Sequence, residues 1–318
     1  MSHAISDGRI EGFSTVSLHS ETDDLTASFA PAVGMVGCSV RHRGGELLGL
    51  RKGLKAYAET GSSMGIPILH PWANRLSAPG VRAGGEWHPF DPDSPLVRRD
   101  GNGLPIHGLL IAHPGWQIVS RQADAAGARL VARFDFATHP ELLAIFPFPH
   151  ELVQEARLCA NALTIRATLR STGDVAIPVS FGYHPYFTLP GVPRGEYLVH
   201  LPVQRRMLLD ERGLPTGDTC EAAFRSGPLG ERTFDDLYDT LDSPAVFSLS
   251  GGGRRISVSF DEGYPVAQVF APAGQDFICF EPMTAPTDAL VRSEVALPVV
   301  PPGGEFAAAF TIRVEDTD

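Results

Sequence analysis

The sequence predicts an all-β protein, a sandwich or barrel of many short strands, and three observations predict it. Glycine (33) and proline (27) punctuate the 318 residues too often for long helices to form. Several segments alternate apolar and polar side chains with the period of two that a half-buried strand requires. Helical candidates are few and short. Many short strands at turn-separated spacing favour a closed or layered β architecture.

The elements follow in turn. In residues 162–170, Leu163, Ile165, Ala167 and Leu169 share one face, and Thr164, Arg166, Thr168 and Arg170 share the other. Residues 256–260 alternate as cleanly. Residues 129–136 are rich in strand formers, and their paired apolar residues predict burial on both faces or a bulge. Residues 266–270, 277–280 and 306–314 also read as strands, with 24–30 and 34–40 as early ones. Asp100-Gly101-Asn102-Gly103 and Gly251-Gly252-Gly253 read as turns. No composition shift marks a linker and no repeat is visible. All-β domains can exceed about 200 residues, so residues 1–318 read as a single domain.

Composition narrows the function classes. With 43% hydrophobic and 20% charged residues, the chain has ordinary globular composition. A formal net charge of -11 disfavours nucleic acid as a partner, because phosphate binding needs clustered positive charge. The first residues show no basic start followed by an apolar stretch, and no apolar run approaches the roughly 18 residues of a membrane span. Cys38, Cys159, Cys220 and Cys279 are far apart and form no CxxC pair, which suits free thiols in a reducing compartment. The expectation is a cytoplasmic protein with no membrane partner.

Four segments combine reactive side chains with rigid flanks: residues 65–76, 104–108, 180–187 and 278–284. Glu281 follows an apolar run and precedes Pro282, so it reads as a strand-end carboxylate. Apolar neighbours would raise its pKa and suit it to general-base work, whereas a solvated strand end would leave it inert. His184 lies in an aromatic stretch before Pro185, as a proton-transfer group beside a sugar-stacking wall or as a core histidine. His107 reads the same two ways, with Gly108 permitting close approach. Arg75 offers forked donors for vicinal hydroxyls or for a structural ion pair. Trp72 and Trp116 suit a core or a sugar platform equally. HxH, HExxH, GxxxxGK[ST] and GxSxG signatures are all absent. The spacing of His107, His184 and Glu281 carries no metal signature, so neither metal nor other cofactor is expected.

Taken together, PWANR at residues 71–75, IHG at 106–108, GYHPYF at 182–187 and FEPMT at 280–284 resemble the aldose 1-epimerase (galactose mutarotase-like) family. Their order matches, and the resemblance runs from about residue 25 to about residue 314. It implies a large antiparallel β-sandwich and an isomerase that interconverts the α and β anomers of a free aldose. It implies Glu281 as general base, His184 as general acid, and His107 as a group that binds and polarises the ring oxygen. Arg75 and Asp235 would hold hydroxyls, with Asp236 the rival for the aspartate. His70 has no assigned role. The small-molecule sugar is the expected partner, and the protein is expected to be a monomer or homodimer.

Three other functions compete. A hexose-6-phosphate 1-epimerase would use Arg98 and Arg99 for the phosphate. A non-catalytic carbohydrate-binding protein would lack turnover. A glycoside hydrolase would pair Glu281 with Asp235. A neutral sugar is expected over its 6-phosphate, because Asp91, Asp93 and Asp100 stand close to Arg98 and Arg99 in sequence.

Overall fold

Two large sheets carry the chain, and both are antiparallel throughout. The structure is a computed structural model and describes residues 3–317. A nine-stranded sheet has Glu305–Asp316 and Ala162–Ser171 at its centre. The predicted alternation holds there: Leu163, Ile165, Ala167 and Leu169 are at most 1% exposed. Their solvent-side neighbours form cross-strand pairs such as Thr164–Thr311 and Arg170–Glu305. Such exposed pairs add little stability, so the buried face dominates. The segment with paired apolar residues is the strand Gly127–Asp135, and it does contain a register shift, between Val131 and Ala132.

The eight-stranded sheet builds the cleft. Its strand Ile278–Met283 is buried along its whole length. The alternation divides its side chains. Ile278 and Phe280 enter the main core, where Phe280 packs against Phe247 and Phe187. Cys279 and Met283 lie in two separate apolar clusters, one with Tyr186 and Phe277, the other with Leu69, Ala73, Leu237 and Val266. Glu281 therefore stands between two apolar patches.

The strand does not end at Glu281, as the following proline suggested. It pairs continuously with Val266–Ala271, Ala267 opposite Pro282 and Gln268 opposite Glu281. On the other side the pairing is interrupted. Gly182 pairs with Met283 and Tyr186 with Cys279, and the chain between them leaves the ladder. Pro282 lies in this interruption, which explains how a residue without an N–H is tolerated inside the sheet. Gly182 is obligatory at the edge of the gap, since a Cβ there would stand 2.6 Å from the Pro282 carbonyl.

Residues 3–46 add a five-stranded sheet. Against it packs the helix Gly53–Thr60, which buries Leu54 and Tyr57 beside Val33, Val36 and Cys38. Its first turn lacks a side-chain cap of its own. Glu11 supplies one from across the structure, accepting the Lys55 N–H at 2.7 Å. The helix stops at Gly61 in the left-handed conformation (φ 65°), and the chain turns toward the cleft. Trp72 and Trp116 are core residues, Trp72 stacking on Phe90. Among the described residues, no helix is long and apolar enough to cross a membrane.

Candidate active site

The interrupted ladder brings His184 over Glu281. Residues 182–187 pair at both ends, so His184 and Pro185 arch out opposite the middle of Ile278–Met283. His184 Nε2 then lies 3.2 Å from Glu281 Oε1, at the floor of a cleft of about 360 Å³. His107, Arg75 and Asp235 line the same cleft. The five residues singled out in the sequence thus converge from five separate segments.

Burial controls the charge of the central pair. Glu281 is 1% exposed, and desolvation pushes its pKa well above the ordinary carboxylate value. Asp235 adds to the rise and Arg75 opposes it. Desolvation pulls the His184 imidazole the other way, to about 3, with Arg51 contributing. Both effects penalise charge, and neither group can ionise alone cheaply. A single proton shared between them keeps the pair neutral overall, as acid plus imidazole or as carboxylate plus imidazolium. Glu281 Oε2 and His184 Nδ1 are buried with no hydrogen-bond partner. Groups in this state are costly unless a ligand completes them.

His107 approaches His184 edge-on, ring centroids 5.4 Å apart. It is itself in the left-handed region (φ 64°), as is Asn74 (φ 58°), and the His107 N–H donates to the Asn74 carbonyl at 2.9 Å. The turn is held by Gly108, where a Cβ would meet the His70 carbonyl at 2.2 Å. Burial, followed by His184, Arg98 and Arg75, keeps the His107 imidazole neutral by lowering its pKa well below 6.5.

Arg75 does serve in an ion pair, with Asp100 at 2.7 Å, and it also reaches Asn74 at 3.1 Å and Asp235 at 4.0 Å. Asp100 is held in place by the Asn102 and Leu104 N–H groups of its own turn. Burial opposes the Asp100 charge, but Arg75 and those N–H groups outweigh it and lower the pKa. Asp235 and Asp236 point oppositely. Asp235 accepts from Gln268 Nε2 at 2.6 Å inside the cleft, whereas Asp236 pairs with Arg206 and Tyr238 outside it.

Several cleft residues carried no local signal. Gln268 faces Glu281 across the ladder, and its Oε1 lacks a partner. Arg51 and Ser63 enter from the segment after the early sheet. Tyr186 stacks on His184 at 4.5 Å, so the aromatic wall anticipated from GYHPYF is one ring. Tyr183 instead turns into the core and bonds Gln154.

His70 lies beneath the cleft as half of a sealed pair with His150, Nε2 to Nε2 at 2.8 Å. The Phe148 carbonyl accepts from His150 Nδ1, so His150 Nε2 is unprotonated and His70 Nε2 is the donor. Among the described residues, the group with metal-ligating geometry is His113, His139 and Glu141, with ligand atoms within 4.8 Å of one another. None of these three lines the cleft.

Fold and cleft together define an all-β scaffold with a buried carboxyl–imidazole pair at the base of a polar cleft. The sequence pattern of aldose 1-epimerases matches residues 38–313, and the chain belongs to that family. A galactose mutarotase-like protein from Clostridium acetobutylicum superposes with a TM-score of 0.87 at 16% identity, covering 99% of each chain. Galactose 1-epimerase from Lactobacillus acidophilus superposes at 0.80 with 17% identity, again covering 99% of each. Over 232 residues, 70% of each chain, the sequence is 25% identical to the uncharacterized protein YihR of Escherichia coli K12.

Proposed function

We propose that this protein is an aldose 1-epimerase, an isomerase that interconverts the α and β anomers of an aldose with a free hemiacetal. The observation that carries the reading is the 3.2 Å approach of His184 to Glu281, each with an unpartnered buried atom, at the floor of the cleft. A pyranose lying against both groups would offer its anomeric hydroxyl to Glu281 and its ring oxygen to His184. In the carboxylate–imidazolium form, Glu281 takes the proton of the anomeric hydroxyl. The bond from the anomeric carbon to the ring oxygen breaks, and His184 protonates that oxygen. The open-chain aldehyde rotates about C1–C2, and reversal of the two proton transfers closes the other anomer. His107 binds near the ring oxygen, and Arg75 and Asp235 hold hydroxyls. Each transfer of this type contributes on the order of 10²- to 10⁴-fold.

The continuous apolar core supports reading residues 1–318 as one domain. The proposed groups all come from one chain, which suits a monomer or a homodimer equally. Four unpaired cysteines favour the cytoplasm. The test is polarimetry on freshly dissolved α-aldoses. Decay to equilibrium well above the spontaneous rate, proportional to protein concentration, supports the proposal. A rate equal to buffer alone overturns it and leaves a carbohydrate-binding role.

A further inference from the structure

We infer that the preferred sugar carries an anionic group, a carboxylate or a phosphate ester, on its exocyclic carbon. This deepens the epimerase reading and rests on it. Four arginines line the cleft: Arg51, Arg75, Arg98 and Arg99. Two of them meet carboxylates, Arg75 at Asp100 and Arg99 at Asp93. Among the described residues, Arg51 and Arg98 have no carboxylate within 4.0 Å. Each is anchored instead by a backbone carbonyl of the turn after the helix, Arg98 by Gly61 and Arg51 by Ser63 at 2.9 Å. A carbonyl orients a guanidinium without cancelling its charge. Arg98 is half-buried and its Nε lacks any partner.

The cleft is therefore polarised. At one end Arg75 is neutralised by Asp100 and faces Asp235. At the other, Arg51 and Arg98 present unneutralised charge, in a protein whose formal net charge is -11. Glu281 and His184 add no net charge while they share one proton.

The reaction fixes which part of the sugar meets the cationic end. With Glu281 at the anomeric oxygen and His184 at the ring oxygen, C5 lies beyond the ring oxygen and C6 beyond C5. His184 is flanked by Tyr186, stacked on it at 4.5 Å, and the Arg51 guanidinium lies 5.6 Å from the Tyr186 ring, which places this cation on the His184 side of the pair. A charged group on C6 would be directed to Arg51 and Arg98, whose forked donors suit carboxylate and phosphate oxygens. This reverses the preference for a neutral sugar suggested by the sequence. That preference counted Asp91, Asp93 and Asp100 against Arg98 and Arg99. Asp93 does pair with Arg99, but Asp100 is committed to Arg75, and among the described residues Arg98 is left without a carboxylate.

The test compares anomer exchange by NMR for glucose and galactose, their uronates and their 6-phosphates, with the full-length wild type, Arg51→Met and Arg98→Met. All three proteins are first shown to melt alike. The expected result is a kcat/KM about tenfold or more higher for one anionic series than for the neutral sugars. That advantage shrinks severalfold in either variant, and shrinks again between about 0.05 M and about 0.5 M salt. The series that gains identifies carboxylate or phosphate as the group. Neutral sugars exchanging as fast as both anionic series, or an advantage that survives both substitutions, overturns the inference while leaving the epimerase reading intact. If no sugar in any series exchanges above the buffer rate, the epimerase reading fails and the inference fails with it.

Discussion

The protein holds two edge-on histidine pairs whose imidazoles are all pushed toward the neutral form by desolvation and which differ in hydrogen bonding. His70–His150 and His107–His184 have ring centroids 4.9 and 5.4 Å apart. All four imidazoles have pKa values lowered chiefly by desolvation. In the first pair both N–H groups are used, His70 to His150 and His150 to the Phe148 carbonyl, inside a box that includes Phe136 and Phe146. The one atom left over is the His70 Nδ1 lone pair. In the second pair the unsatisfied nitrogens belong to rings that line the cleft beside Glu281. Low pKa alone does not separate a structural histidine from an available one; the completeness of its hydrogen bonds and its access to a cavity do.

The largest expected effect separates the pairs by activity. Glu281→Gln keeps the shape but cannot accept the anomeric proton, so kcat should fall by about two to four orders of magnitude with the melting temperature nearly unchanged. His184→Asn should cost nearly as much, and His107→Asn less. Progress curves of the three variants rank the roles, and a larger loss at His107 than at His184 would move the acid to His107.

His150→Phe should show the opposite profile. It leaves the His70 Nε2 donor buried without an acceptor, which costs roughly 1–3 kcal/mol of stability in urea unfolding. The kcat of the folded fraction should stay within about twofold.

Acid should also act through the sealed pair. The His150 imidazole is held at about 4 by burial, and His70 lies well below its ordinary value. An unfolded histidine titrates near about 6.5. Below that pH the unfolded chain binds protons that the folded chain refuses, so stability falls as pH drops from about 6.5 toward about 4. The slope is up to ~1.4 kcal/mol per pH unit for each histidine. His150→Phe should flatten the dependence when unfolding is followed across that range. The smallest effect expected is none: exhaustive chelation should leave the rate within about twofold, because no proposed step uses a Lewis acid.

Local pattern made part of this visible. The period of two in residues 162–170 survives because one face is sealed in the core while the other, apart from Thr168, stays partly exposed. Glu281, His184, His107 and Arg75 stood out because proline, glycine and aromatic neighbours restrain them. What could not be read locally depends on register. Asp235 and Asp236 are adjacent in sequence, and only the pairing of Phe234–Leu241 with Val266–Ala271 puts Asp235 beside Gln268. The Asp100 turn was legible, but its Arg75 partner 25 residues away was not. Nor was His150, which meets His70 across 80 residues. Glu281 was misplaced at a strand end because the interruption that accommodates Pro282 belongs to the neighbouring strand.

The central claim is that Glu281 and His184 exchange protons with a hemiacetal at the open pair. Exchange NMR reports this directly, by magnetisation transfer between the α and β anomeric signals of one sugar at equilibrium. With wild-type protein, transfer should rise in proportion to enzyme concentration. With the same amount of Glu281→Gln it should fall to the spontaneous rate, while ligand line broadening shows that the sugar still binds. Wild-type transfer matched by Glu281→Gln within about twofold would contradict the account.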